Sequence, residues 1–208
     1  LQYTGGTTGV SKGAMLSHGN IVANMQQAGV LFSTYDFREG EETLLLPLPL
    51  YHIYAFNACL GMLARGGHTV LVPNPRDLKS LVAAFRDSGC TGFAGLNTLF
   101  VALCNDADFR AIDFSRLKVT MSGGMALTMA AARRWQEVTG VEIVEGYGMS
   151  ETSPVISVNP VNANRLGTIG IAVPSTEVRL LDDDGHEVQA GEPGELVARG
   201  PHVMLGYW

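Results

Sequence analysis

With 208 residues, 46% of them hydrophobic and 16% charged, the chain carries enough apolar material for one domain or roughly one and a half, which excludes an intrinsically disordered segment. A formal net charge of -6 with no lysine or arginine cluster excludes the basic stripe on which phosphate-backbone binding depends, so no nucleic-acid partner is expected. Cys59, Cys90 and Cys104 are odd in number and far apart, without metal-ligand spacing, and read as free buried thiols of a reducing compartment, the cytoplasm.

The first chemically distinctive stretch is Tyr3-Thr4-Gly5-Gly6-Thr7-Thr8-Gly9-Val10-Ser11-Lys12-Gly13, with four glycines, three threonines, a serine and a lysine in eleven residues. Glycines let backbone N–H groups turn toward an anion, and hydroxyls plus an ammonium add donors, so the stretch reads as an anion cradle. Lys12 does not follow a glycine at the G-x-x-x-x-G-K-[ST] spacing, so it is not the loop of P-loop NTPases. The plainer alternative is a polar Gly/Thr turn between a strand and a helix.

Beyond it a helix is predicted over 20–32. Between Glu42 and Glu145 short apolar runs then alternate with longer helical patterns, the mark of βα units in a parallel sheet and hence of an α/β fold. The strands are predicted over 43–46, 69–72, 91–94, 118–121 and 142–144, and the helices over 54–64, 78–86, 98–105 and 128–138. Thr128 is suited to cap the last helix and Gly140 to stop it. The apolar stretch around 53–64 is too short for a bilayer crossing, which takes about 20 residues, and no signal-peptide pattern is visible.

Three further segments fall where strands end. Pro49-Leu50-Tyr51-His52-Ile53-Tyr54 follows the first strand of this run. Ser122-Gly123-Gly124-Met125-Ala126-Leu127 follows the fourth and by itself also suits an ordinary tight βα turn. Glu145-Gly146-Tyr147-Gly148-Met149-Ser150-Glu151-Thr152 follows the fifth, at the carboxyl edge where open α/β sheets place ligands. From Gly167 onward the pattern changes to short alternating strands, 177–181 and 195–199, around the Asp184-Gly185 turn signal. The expected organisation is an α/β part over 1–166 and an incomplete β-rich subdomain over 167–208.

Taken together, the loop over 4–13 and the segment over 145–152 resemble the signatures of the adenylate-forming superfamily: acyl-CoA synthetases, luciferases and peptide-synthetase adenylation domains. That family commonly has a proline before the lysine where this sequence has Ser11, a difference in loop stiffness more than in donor count. The resemblance continues through Gly167-Thr168-Ile169-Gly170 and Gly194-Glu195-Leu196 to the end of the chain. In Asn74-Pro75-Arg76-Asp77, Val173-Pro174-Ser175-Thr176 and 203–208 it is similar above all to bacterial long-chain fatty acid–CoA ligases.

The resemblance implies ATP, Mg²⁺ and coenzyme A, with a fatty acid as the substrate to be activated. It places the ATP phosphates on Thr4, Gly5, Gly6, Thr7, Thr8, Gly9, Ser11 and Lys12, and the adenine beside Gly123, Gly124, Met125, Glu145, Gly146, Tyr147 and Gly148. Ser150 is implied to contact phosphate and Glu151 to hold Mg²⁺, a hard cation that suits one carboxylate plus substrate phosphates. Lys12, Ser150 and Glu151 are thus the expected catalytic residues. His52 is implied to lie beside the acyl carboxylate in a positioning or gating role; no Asp or Ser partner suggests a triad. An acyl tunnel is implied along Tyr54, Leu99 and Ala102, with Gly95 and Gly146 leaving room.

Both signatures also suit activation of an aryl acid or an amino acid, or transfer to a carrier protein. The stretch Tyr51-His52-Ile53-Tyr54-Ala55-Phe56 offers no carboxylate for an amino-acid ammonium, which favours an uncharged acyl chain. A non-catalytic nucleotide- or lipid-binding module is the alternative from another class. The chain begins at Leu1 and stops at Trp208 amid structured sequence, so an excised piece is expected. The family's ribose-binding aspartate and its C-terminal lid domain would then lie outside it, and the piece alone would be catalytically impaired. Peripheral association with the inner membrane face is compatible with this reading. The loop over 3–12, at the chain's edge without a preceding segment to brace it, is expected to be mobile until nucleotide orders it.

Overall fold

The computed structural model describes residues 1–4, 11–32 and 36–208. Two short strands come first, β1 (Gln2–Thr4) and β2 (Lys12–Ala14), followed by helix α1 (His18–Phe32). The α/β run is β3 (Thr43–Leu46), α2 (Ile53–Leu63), β4 (His68–Leu71), α3 (Leu78–Ser88), β5 (Gly92–Gly95), α4 (Asn97–Asn105), α5 (Ala107–Arg110), β6 (Val119–Ser122), α6 (Met129–Thr139) and β7 (Ile143–Gly148). Then come β8 (Val155–Val158), β9 (Ile171–Ala172), β10 (Glu177–Leu181) and β11 (Glu195–Arg199), with 3₁₀ turns at Ser150–Thr152 and Val161–Ala163.

Seven strands form one sheet in the order β4-β3-β5-β6-β7-β8-β9. It is parallel from β4 to β7, and antiparallel across β7, β8 and β9. The predicted α/β class and its five strands are therefore present, with ends that differ by a residue or two except at β7. The alternation of β3 decides its faces: Leu45 turns to a core shared with α3, α4, α5 and α6, and Leu44 and Leu46 turn to α2. In the larger core Trp135 is fully buried, stacks on Phe93 and meets Phe100 edge-on, and its indole N–H donates to Thr120 Oγ1 at 3.0 Å. Thr128 caps α6 by accepting from Ala131 N, and Gly140 stops it with φ 75. Among the described residues no helix is long and apolar enough to cross a membrane.

Strand order reverses at β3: α2 leads outward to β4, and α3 returns across β3 to β5. This is the topological switch at which open α/β sheets form a crevice beyond their carboxyl ends. The residues over 167–208 do not all stand apart from the sheet. β9 is its last strand, β10 and β11 form a separate hairpin, and the final residues return to β2.

Helix α1 ties these late segments down. Asn20, Asn24 and Gln27, at i, i+4 and i+7, form a buried polar stripe on a largely apolar helix. Asn20 Nδ2 donates to the carbonyls of Pro201 and Val203, and Gln27 Nε2 to that of Pro174. Asn24 accepts from Val155 N at 2.9 Å and donates to Val155 O at 2.8 Å, so its amide stands in for a neighbouring strand.

Candidate nucleotide and acyl site

The two ends of the sequence-predicted phosphate loop are paired. β1 and β2 run antiparallel, with Thr4 opposite Lys12 and Tyr3 opposite Gly13. Gly5, Gly6, Thr7, Thr8 and Gly9, and with them the expected mobility, lie outside the described residues; Ser11 and Lys12 are exposed. The arms are braced instead by a later part of the chain. Met15 N donates to Gly206 O, Leu205 N to Met15 O and Trp208 N to Gly13 O, at 2.8–2.9 Å, which lays 205–208 antiparallel along the free edge of β2.

The second signature departs from the expected geometry. Its first four residues, Glu145 to Gly148, are strand and not loop, because β7 changes partner midway. It pairs with β6 up to Glu145 and from Gly146 onward with β8, with a register shift between Tyr147 and Gly148. Gly148 permits this by close approach: a Cβ there would stand 1.9 Å from the Pro154 carbonyl oxygen. That carbonyl accepts from Met149 N at 3.0 Å and from the Thr152 hydroxyl, so the six residues between β7 and β8 are drawn into one tight turn. Buried Asn57 on α2 holds the turn from below by donating to Ser153 O at 2.8 Å. Ser150 and Glu151 are thereby presented, half-buried, on a fixed backbone, and β1 lies beside them. The two signatures, about 140 residues apart in the chain, thus meet in space.

Glu151 is held twice by the end of the chain. Its carbonyl accepts from Met204 N at 2.8 Å, and its Oε1 accepts from the Tyr207 hydroxyl at 2.5 Å. Lys12 Nζ lies 5.2 Å from the centre of the Tyr207 ring. The Glu151 contact pushes the Tyr207 phenol above its ordinary range. Glu151 Oε2 has no hydrogen-bond partner among the described residues, so the turn offers one hard carboxylate oxygen one residue from Ser150, a donor chemistry that fits Mg²⁺.

The remaining predicted residues lie on α2 and its N-cap, β7 and the segment after β6, apart from three of the implied tunnel. A Cβ on Gly123 would stand 3.5 Å from the Tyr54 ring and 3.7 Å from Gly146 O, which puts the Gly123-Gly124-Met125 segment between Tyr54 and β7. Gly124, with φ 81, makes the turn, and Met125 is exposed. The segment is held by Glu145, whose carboxylate accepts from Leu127 N at 3.1 Å, a tethering contact the motif alone does not reveal. His52 caps α2 through Nδ1, which accepts from Tyr54 N at 3.2 Å. Tyr54 donates to Met121 O, and burial raises its phenol well above the ordinary value. The exceptions concern the implied tunnel. Gly95 opens onto no space, since a Cβ there would stand 2.9 Å from the rings of Phe93 and Phe100. Leu99 and Ala102 belong to α4, which packs against α6; Leu99 touches both cores.

The space lies elsewhere. A largely apolar cavity of about 660 Å³ runs between α1, α2 and the strands β3, β5 and β6. Asn57 and Met121 line it, and through them it adjoins the Ser153 carbonyl and Tyr54. Small residues of α2, Ala58 and Gly61, form part of its wall. At the other end stands Glu42, whose Oε1 meets Lys118 Nζ at 2.7 Å. Burial alone would raise the Glu42 carboxyl, but hydrogen bonds from Lys118, Thr91 and Arg38 N–H outweigh it and hold the group below the usual carboxylate range.

Over residues 1–208 the sequence matches the family described as AMP-binding enzyme. It is 48% identical over 210 residues to a long-chain-fatty-acid–CoA ligase of Escherichia coli O157:H7, a match covering 100% of this chain and 37% of that protein. Among solved structures, the fold is similar to the anthranilate CoA ligase AuaEII in complex with anthranoyl-AMP, with TM-score 0.92 and 30% identity, over 100% of this chain and 40% of that one. It is also similar to ATP-bound MatB from Rhodopseudomonas palustris, with TM-score 0.84 and 31% identity, over 99% of this chain and 40% of that one.

Proposed function

Because the chain belongs to the AMP-binding enzyme family, we propose that the full-length protein activates a long-chain fatty acid with ATP and passes it to coenzyme A. The observation that carries this reading is the position of the apolar cavity, whose Asn57 and Met121 end adjoins the turn where the two signatures meet. The 48% identity to a long-chain-fatty-acid–CoA ligase supports the same substrate class.

In the first half-reaction a carboxylate oxygen of the fatty acid attacks the α-phosphorus of ATP. The bond to pyrophosphate breaks, and an acyl-adenylate forms. In the second, the coenzyme A sulfur attacks the acyl carbon, and AMP leaves as the thioester forms. The carboxylate is already a nucleophile, so the site's task is positioning and charge neutralisation. Lys12 supplies a cation and Ser150 a hydroxyl donor to the phosphates, and Glu151 would hold the cation that accompanies ATP. Mg²⁺ bound there supplies neutralisation of charge on the phosphate oxygens. His52, with Nδ1 engaged in capping α2, has Nε2 left for the acyl carboxylate, and Tyr54 and Gly123 close that side against water. The apolar chain extends toward Glu42 between α1 and α2. Cytoplasmic location follows from these substrates.

The likeness to an anthranilate ligase makes an aryl acid the competing substrate. Pyrophosphate release by the full-length protein, measured with ATP and acids from short to long beside aryl and amino acids, decides between them. Turnover is expected to be highest for long unbranched chains, and release with aryl acids alone would overturn the proposal.

A further inference from the structure

Tyr207 reaches into the candidate site from a part of the chain that neither signature includes. Its backbone is fixed by the ladder along β2, where Ala14 stands opposite it and Trp208 N bonds to Gly13 O. Its side chain is 44% exposed, so it is no core packing element. The hydroxyl donates to Glu151 Oε1 at 2.5 Å, within the range of a charge-assisted bond to a carboxylate. The face of its ring lies under Lys12 Nζ, near enough for a cation–π contact. One residue therefore touches both the lysine of the first signature and the carboxylate of the second.

A half-buried glutamate otherwise samples several rotamers, and the entropy lost in selecting one of them on binding opposes ligand capture, a cost that falls when the carboxylate is held beforehand. From this we infer that Tyr207 is a positioning residue: by occupying Oε1 it fixes the Glu151 carboxylate and leaves Oε2 as the oxygen that takes the cation accompanying ATP. Lys12 stays aligned over the same ring, so the cation and the lysine approach the phosphates from a shared scaffold. Met204 N, bonded to Glu151 O, fixes the backbone of that glutamate from the same segment. The inference rests on Glu151 as the metal ligand, as proposed above.

The test uses the full-length protein with Tyr207→Phe, which removes only the hydroxyl, and Glu151→Gln. Binding of Mn²⁺ is followed by the electron paramagnetic resonance signal of the free ion, in the presence of α,β-methylene-ATP. Beside it, KM for MgATP and kcat are measured by pyrophosphate release, and the melting temperature is recorded. Tyr207→Phe is expected to weaken Mn²⁺ binding and raise KM by about tenfold or more, the range for one hydrogen bond to a charged group. The melting temperature and kcat at saturating Mg²⁺ should stay at the parent values. Glu151→Gln should weaken Mn²⁺ binding further. If Glu151→Gln weakens Mn²⁺ binding and Tyr207→Phe does not, the role of Tyr207 is overturned while the metal-ligand reading stands. If neither variant changes it, both fall.

Discussion

Gly146 and Gly148 sit two residues apart in one signature, yet the structure assigns them opposite tolerance for a methyl group. An alanine Cβ at 148 would stand 1.9 Å from Pro154 O, 2.7 Å from Pro154 C and 3.1 Å from Val155 Cα. Comfortable contact begins near about 3.5 Å, so the β7 and β8 backbones must part by about 1.5 Å. Parting them removes the bonds that Pro154 O accepts from Met149 N and Thr152 Oγ1, each worth about 1 kcal/mol net. Residual overpacking adds about 1–3 kcal/mol, so Gly148→Ala is expected to cost about 3–5 kcal/mol. At 146 the nearest atom to an added Cβ is Ser157 O at 3.5 Å, ordinary contact, and the change should stay within about 1 kcal/mol. Denaturant unfolding of both variants in the full-length protein measures the difference. Because the displaced turn carries Ser150 and Glu151, Gly148→Ala should also raise KM for MgATP, and Gly146→Ala should not do so through this turn. Equal unfolding midpoints for the two alanines would refute the close-approach argument.

Gly61 has no atom within 4 Å of where a Cβ would stand, and it lines the cavity. Gly61→Leu should cut pyrophosphate release with long acids about tenfold or more and leave short acids within about threefold, since the added side chain fills the far part of the space; equal losses would remove the cavity from the acyl path. His202 is fully buried, neither ring nitrogen has a hydrogen-bond partner among the described residues, and burial lowers its pKa below 6.5. The unfolded chain therefore takes up the proton first, so the contribution of neutral His202 is complete above about pH 6.5 and is lost as the pH falls through that range toward the folded value. His202→Phe should make stability less steep between pH 7 and 5, and denaturant midpoints at the two values that change in parallel with the parent's would contradict it.

Legibility followed the range of the forces involved. The strands β3 to β6 were readable because Leu44, Leu45, Leu46 and Phe93 are buried whichever neighbour they meet. The cap at Thr128 and the stop at Gly140 were readable because helix ends are local. β7 was cut short in the reading because its second half is strand only by virtue of β8, and Gly146 and Gly148 carry no apolar signal. β1, β2 and β9 are too brief for a period to show. The loop chemistry of both signatures could be read from composition, whereas their meeting could not. On its other edge β2 is paired by residues about 190 positions further along, and Glu151 depends on a tyrosine that lies outside both motifs. Gly95 shows the same limit: a missing side chain marks a need for space, and only the packing of Phe93 and Phe100 reveals what fills it. The Asn20, Asn24 and Gln27 stripe was visible in principle, as polar amides at helical spacing among apolar neighbours.

That stripe also orders events in time. Its hydrogen bonds span 131 to 183 residues of chain, against three or four within a helix. Contacts of such reach are the slow ones, because the loop-closing entropy is spent before any bond forms. During synthesis α1 emerges with its amides exposed to water, and they find Val155, Pro174 and Pro201 only once the chain has been extended through residue 203. The same late arrival brings 205–208 to β2 and Tyr207 to Glu151. A nucleotide thus has no finished site on a nascent or half-folded chain. Its binding stabilises molecules in which 201–208 have already docked on α1 and β2.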